Sequence, residues 1–77
     1  MTEQEWLNIF SDNLRDIMNE KGYNQKDLAE DSGMSDMAIS HYIRKERIPG
    51  IRAIINIAYT LDCNVNELID FGDCIER

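Results

Sequence analysis

Four cations stand close together in this chain, Arg44, Lys45, Arg47 and Arg52, and Glu46 is the lone acid between residues 37 and 52. That segment carries +3, whereas the 77-residue chain as a whole carries −7. The acids gather at the two ends. Residues 1–20 set Arg15 against Glu3, Glu5, Asp12, Asp16 and Glu20, and residues 53–77 set Arg77 against Asp62, Glu67, Asp70, Asp73 and Glu76. Arginines and lysines clustered on one short segment pair with phosphate. On an acidic body such a patch also orients the docking, because the rest of the surface repels a polyanion.

Other chemistry is poorly supplied. Ser40 and His41 are neighbours, but adjacent residues of a helix point about 100° apart and make no nucleophile–base pair. The chain has one histidine, His41, and two cysteines, Cys63 and Cys74, too few at these spacings for a metal site. No glycine-rich phosphate loop is present, and the carboxylates are scattered along solvent faces. The expectation is a protein that is not an enzyme and uses neither metal nor cofactor. The cysteines read as two reduced thiols of a cytoplasmic protein, with a Cys63–Cys74 bridge open only in an oxidising compartment.

These residues must be positioned by a small body. Seventy-seven residues make one domain that buries roughly 60% of its unfolded surface. With 43% apolar and 30% charged residues the composition is that of an ordinary soluble domain. The longest mainly apolar stretch, 51–61, is broken by Arg52 and Asn56 and falls far short of the roughly 20 residues of a membrane span. No basic-then-apolar leader opens the chain. A soluble, cytoplasmic protein without a membrane partner is expected.

The punctuation is helical throughout. Thr2 and Glu5 have capping-box spacing, and Trp6, Phe10, Leu14, Ile17 and Met18 recur at helical intervals until Gly22 stops the helix. Asn24 and Asp27 open a second, short helix with Leu28 and Ala29 inside, which Gly33 breaks. Ser35 caps a third, whose apolar side is Met34, Ala38, Ile39 and Tyr42. Pro49-Gly50 marks a loop. A fourth helix is expected to bury Ile51, Ile54, Ile55, Ala58 and Leu61. Asn64 and Glu67 open a fifth with Val65, Leu68 and Ile69 inside. No segment alternates with period two. The fold class is therefore all-α, a compact five-helix domain over residues 1–70 with a short C-terminal tail, 71–77.

Residues 25–43 constrain one another most tightly. Two short helices separated by a glycine must cross steeply to share a core. Ala29 must be small where the helices approach, Gly33 must take a positive φ, and Met34, Ile39 and Tyr42 must be apolar to hold the angle. This is the helix-turn-helix arrangement, formed by helices 2 and 3, whose second helix enters the major groove of DNA.

From Leu14 to Leu68 the sequence resembles the phage repressor and Cro family, also called the xenobiotic-response-element family, with a lambda-repressor-like DNA-binding domain. The resemblance lies in Gln25-Lys26-Asp27-Leu28-Ala29, the turn Gly33-Met34-Ser35, Ile39-Ser40, Pro49, Ile57-Ala58-Tyr59-Thr60-Leu61 and Val65-Asn66-Glu67-Leu68. It implies a transcriptional regulator, a repressor, that reads operator DNA in the major groove with the helix around 36–44. The implied partners are double-stranded DNA with an inverted repeat and a second copy in a weak homodimer.

Matched position by position, Asp36, Met37, Ser40 and His41 fall where the family reads base edges. Gln25 and Arg44 fall at phosphate positions, and Lys45, Arg47 and Arg52 extend the basic surface. The reading set departs from the family's glutamine-rich pattern. Asp36 either accepts from a cytosine amino group or serves the positive end of its own helix. Met37 suits a thymine methyl or is a filler, and His41 donates to guanine or is a solvated helix residue. Many relatives pair an arginine late in the first helix with a glutamate ending the third. Here the matching residues are Met18 and Ile43, an exchange of an ion pair for apolar packing that is expected to bring the two together.

Segment 65–75, with Leu68, Ile69, Phe71 and Ile75, is the expected dimer contact. The absence of a sensor segment fits either a compact Cro-like or immunity-type regulator or part of a longer repressor. The alternative is a protein-interaction module, such as an antitoxin or adaptor, that keeps the fold without reading DNA. Its support is the −7 charge and Asp36 in the reading set.

Overall fold

The computed structural model describes residues 2–69, and these form five helices: α1 (Glu3–Lys21), α2 (Gln25–Ser32), α3 (Asp36–Ile43), α4 (Ile51–Thr60) and α5 (Val65–Leu68). The tail, with Phe71, Cys74 and Ile75, lies outside the described residues.

Side chains start four of the five helices, and α4 opens at Gly50 without a side-chain cap. The Thr2 hydroxyl accepts from the Glu5 amide, and the Asn24 side chain accepts from the Asp27 amide while the Asp27 carboxylate takes the Asn24 N–H. Ser35 Oγ accepts from Ala38, and the Glu67 carboxylate accepts from the Asn64 N–H at the start of α5. Each bond satisfies an amide that the helix leaves without a partner.

Three helices end alike. After α1, Gly22 takes φ 75° and Tyr23 N–H reaches back to the Met18 carbonyl. After α3, Lys45 takes φ 64° while Glu46 N–H bonds the His41 carbonyl. After α4, Asp62 takes φ 53° while Cys63 N–H bonds the Ala58 carbonyl. This is the Schellman closure, in which a left-handed residue turns the chain so that the last carbonyls are paired. Only the first uses glycine.

Helix α2 ends at Gly33, with φ 74° and open space where a Cβ would stand. Gly33→Ala therefore meets no clash, and the cost is that of the left-handed backbone alone. A loss of about 1–2 kcal/mol in a urea melt is expected.

α3 packs on α1 and α2, α4 on α2 and α5, and α5 on α1. They enclose one core of Leu7, Phe10, Leu14, Ile17, Met18, Leu28, Ala29, Ile39, Tyr42, Ile54, Ile57, Ala58, Leu61 and Leu68. Trp6 packs against its edge, its ring stacked on Phe10 with centroids 5.6 Å apart. Met18 lies within the core, and Ile43 is packed against it, so neither position carries a charge into the interior.

The fourth helix is rotated from its expected face. Ile54, Ile57, Ala58 and Leu61 are buried, whereas Ile51 and Ile55 are exposed. An i, i+3, i+4, i+7 set beginning at Ile54 turns toward α2 and α5, and the stripe through Ile51 and Ile55 is left about a right angle away. Both stripes are isoleucine, so composition does not choose between them.

Cys63 is half-buried. Burial first, and the Glu67 carboxylate next, push its thiol pKa up, so it stays protonated near neutrality. Among the described residues no helix is long and apolar enough to cross a membrane, and no three metal-ligating side chains come together.

Candidate nucleic-acid interface

The third helix has two faces with different duties. Ile39 and Tyr42 are buried in the core. At about 100° per residue, Met37, Ser40, His41 and Arg44 lie on the opposite side. Met37 is 68% exposed, Arg44 is exposed, and Ser40 and His41 are half-buried. Asp36 is exposed beside them in the first turn, where a carboxylate meets the positive end of the helix. The four residues expected at base edges therefore share one accessible surface.

The helix is held in place from three sides. Gln25, the first residue of α2, donates its side-chain amide to the Asp36 carbonyl at 3.3 Å, linking the starts of the two motif helices. The turn between them is tied inward: Ser32 Oγ bonds the Ala29 carbonyl and accepts from Met34 N–H. Asn56 of α4 donates to the Ser32 carbonyl at 2.9 Å. At the far end the fully buried Ser11 hydroxyl of α1 donates to the Tyr42 carbonyl, and the Tyr42 ring stands perpendicular to Phe10, with centroids 6.4 Å apart.

Ser11 and Asn56 are positioning residues that the motif spacing does not reveal. Ser11 is signalled in the sequence by a polar side chain interrupting an apolar helix face, and Asn56 only by a polar residue within an apolar run. A buried polar side chain needs a hydrogen-bond partner, and both of these find theirs in a carbonyl distant in sequence.

The basic residues are not equivalent. Arg44, Arg47 and Arg52 are exposed. Lys45 is half-buried and turned back toward α1, with Nζ 3.2 Å from Asp12 Oδ1. Arg52 sits in the first turn of α4, where amide N–H groups without helical partners also favour an anion. The amide of Gln25 already has the Asp36 carbonyl as a partner.

Comparison with known proteins agrees with this geometry. The Helix-turn-helix family model HTH_3 matches residues 14–68. Among solved structures, the restriction-modification controller protein C.AhdI from Aeromonas hydrophila superposes with a TM-score of 0.77 at 31% sequence identity, covering 80% of this chain and 94% of that one. No curated protein matches the chain. With residues 14–68 in the family model and α2 packed on α3, the chain belongs to the Cro/C1-type helix-turn-helix family of DNA-binding transcription regulators.

Proposed function

We propose that this protein is a sequence-specific repressor that binds an inverted-repeat operator as a weak homodimer and lays α3 in the major groove. Met37, Ser40 and His41 meet base edges, with Asp36 beside them at the helix start. Arg44, Arg47 and Arg52 meet phosphates, joined by Gln25 and by Lys45 when Asp12 releases it. One observation carries the reading. The solvent face of α3 bears Met37, Ser40, His41 and Arg44 on the most basic segment of an acidic chain, and its other face is locked in the core. The likeness to C.AhdI, a controller protein, supports control of transcription as the role.

The polarity of the chain shapes the mechanism. Its −7 charge discourages loose association with DNA in most orientations, so affinity rests on the few cations around α3. Base contacts by themselves read half a site, and two copies are needed to span successive turns of the major groove about 34 Å apart.

Selection of duplexes from a randomised pool, repeated at two salt concentrations, tests the reading. Enrichment of an inverted repeat that persists at the higher salt is the expected result. An unenriched pool with weak, strongly salt-sensitive binding would instead favour the protein-interaction module, to which the net charge and Asp36 also point.

The Asp12–Lys45 pair supplies a quantitative check. It is an exposed ion pair, weak by itself, but it occupies a cation at the edge of the interface. Asp12→Asn should tighten DNA binding by about 2- to 5-fold at low salt, read by fluorescence anisotropy, with the gain shrinking as salt rises.

A further inference from the structure

Helix α3 opens with an acid followed by an apolar residue, Asp36 and Met37, and the fold uses neither side chain. Ser35 Oγ already caps the helix through the Ala38 amide at 3.1 Å, and the Gln25 side-chain amide holds the Asp36 carbonyl at 3.3 Å. The backbone of this first turn is thereby fixed from two sides. Among the described residues no hydrogen-bond donor and no cation engages the Asp36 carboxylate, which is exposed. Met37, 68% exposed, is among the described residues the one large apolar side chain of α3 left in solvent. An unpaired carboxylate on a surface that docks on phosphate costs affinity unless a donor on the DNA meets it.

We propose that Asp36 and Met37 together read one modified base, a 5-methylcytosine, in the half-site that α3 enters. The inference rests on the operator reading above and deepens it by naming the base chemistry that the start of α3 selects.

The order of groups along the major-groove edge identifies this base. An A·T pair carries both an amino donor and a methyl, but the O4 acceptor of thymine stands between them. A G·C pair carries the cytosine N4 amino donor and no methyl. A donor directly beside a methyl therefore occurs in neither unmodified pair. Methylation at C5 of cytosine creates that juxtaposition on adjacent ring atoms. Its complement is an acceptor directly beside an apolar side chain, which is what Asp36 and Met37 supply.

Geometry permits the shared contact. The two side chains diverge by about 100° and do not touch one another. Side chains in a helix lean toward its N-terminus, however, and a recognition helix meets base edges with its N-terminal residues. The carboxylate accepts from N4–H while the flexible thioether covers the methyl. Thymine offers the same methyl, but its O4 repels the carboxylate. Unmodified cytosine offers the donor and leaves Met37 without an apolar partner. His41 lies on the same row as Met37, about 6 Å farther along the helix, where it meets a neighbouring base pair.

Selection from two randomised duplex pools, one copied with cytosine and one with 5-methylcytosine, supplies the test sites. Each pyrimidine of a selected half-site is then replaced in turn by cytosine, 5-methylcytosine, thymine and uracil. These four bases vary the methyl and the exocyclic group independently. Binding of the full chain is read by fluorescence anisotropy. At one position of the half-site 5-methylcytosine should bind tightest and uracil weakest. The methyl should contribute about 3- to 5-fold over cytosine. The amino group should contribute at least about 5-fold over thymine. Met37→Ala should abolish the methyl gain and keep the amino preference. Asp36→Asn, whose amide both donates and accepts, should do the reverse. Circular dichroism checks that both variants stay folded, as expected for exposed positions.

Three outcomes overturn the proposal. In the first, an enriched operator shows no position at which 5-methylcytosine exceeds cytosine. In the second, the methyl and amino effects map to different base pairs. In the third, Asp36→Asn keeps the full preference over thymine, which assigns the carboxylate to the positive end of its own helix. All three leave the operator reading standing. Failure of both pools to enrich rejects that reading, and this inference with it.

Discussion

Phe10→Ala is expected to lower stability by about 3–5 kcal/mol, the largest effect of any single substitution considered for this protein. Phe10 is fully buried, its ring stacked on Trp6 and perpendicular to Tyr42. Truncation removes apolar burial and leaves a void that the short helices around it cannot close without shifting. For 77 residues the whole stability is about 4–12 kcal/mol, so the variant should be partly unfolded at 37 °C. A chemical melt followed by circular dichroism measures it.

The consequence reaches the reading surface through Tyr42. That residue belongs to α3, and its ring and carbonyl are held by Phe10 and Ser11 of α1. Folded molecules of the variant should therefore bind DNA more weakly than the unfolded fraction accounts for. A loss below 1 kcal/mol would mean that Trp6 swings in to fill the space, and that the α1–α3 contact is more plastic than close packing allows.

The second large effect separates two kinds of contact within one turn of helix. Under the proposed function, His41→Ala should reorder the preferred sequences. The discrimination lost at one base position should be about 1–3 kcal/mol, roughly 5- to 150-fold. Arg44→Ala, three residues on, should weaken all sites alike and lower the dependence on log salt by about one ion. Titrating both variants against a panel of selected duplexes at two salt concentrations distinguishes these outcomes. If His41→Ala instead weakens every site equally, His41 is a solvated helix residue and base reading falls to Met37 and Ser40.

The positions of α3 that face away from the core are suited to such a test. Ser40, His41 and Arg44 lie opposite the buried Ile39 and Tyr42, so their substitution leaves the core intact. Ser11→Ala is different, because it removes the buried donor to the Tyr42 carbonyl, which keeps only Lys45 N–H at 3.2 Å from across the helix end. Comparing it with His41→Ala separates damage to the scaffold from damage to the reading face.

The sequence by itself determined the features that depend on three to five neighbouring residues. Asn24 with Asp27, Ser35 before Ala38, and the left-handed Gly22 and Gly33 act within one turn of chain, so their residue types declare the helix boundaries. The helix-turn-helix was legible for the same reason. Its Leu28, Ala29, Gly33, Ile39 and Tyr42 all lie within 15 residues, and their packing follows from helical periodicity.

Only the tertiary structure decided what depends on distant groups. Lys45 closes its helix in a left-handed conformation that side chains resist, and nothing local in that residue type announces it. Asn56 and Ser11 become interpretable only when carbonyls 24 and 31 residues away accept their hydrogen bonds. Two isoleucine stripes on α4 are equivalent in hydropathy. The directions in which α2 and α5 approach bury Ile54 and Ile57 and leave Ile51 and Ile55 in solvent. Periodicity states that a helix has an apolar face, but where that face has alternatives, the neighbours choose it.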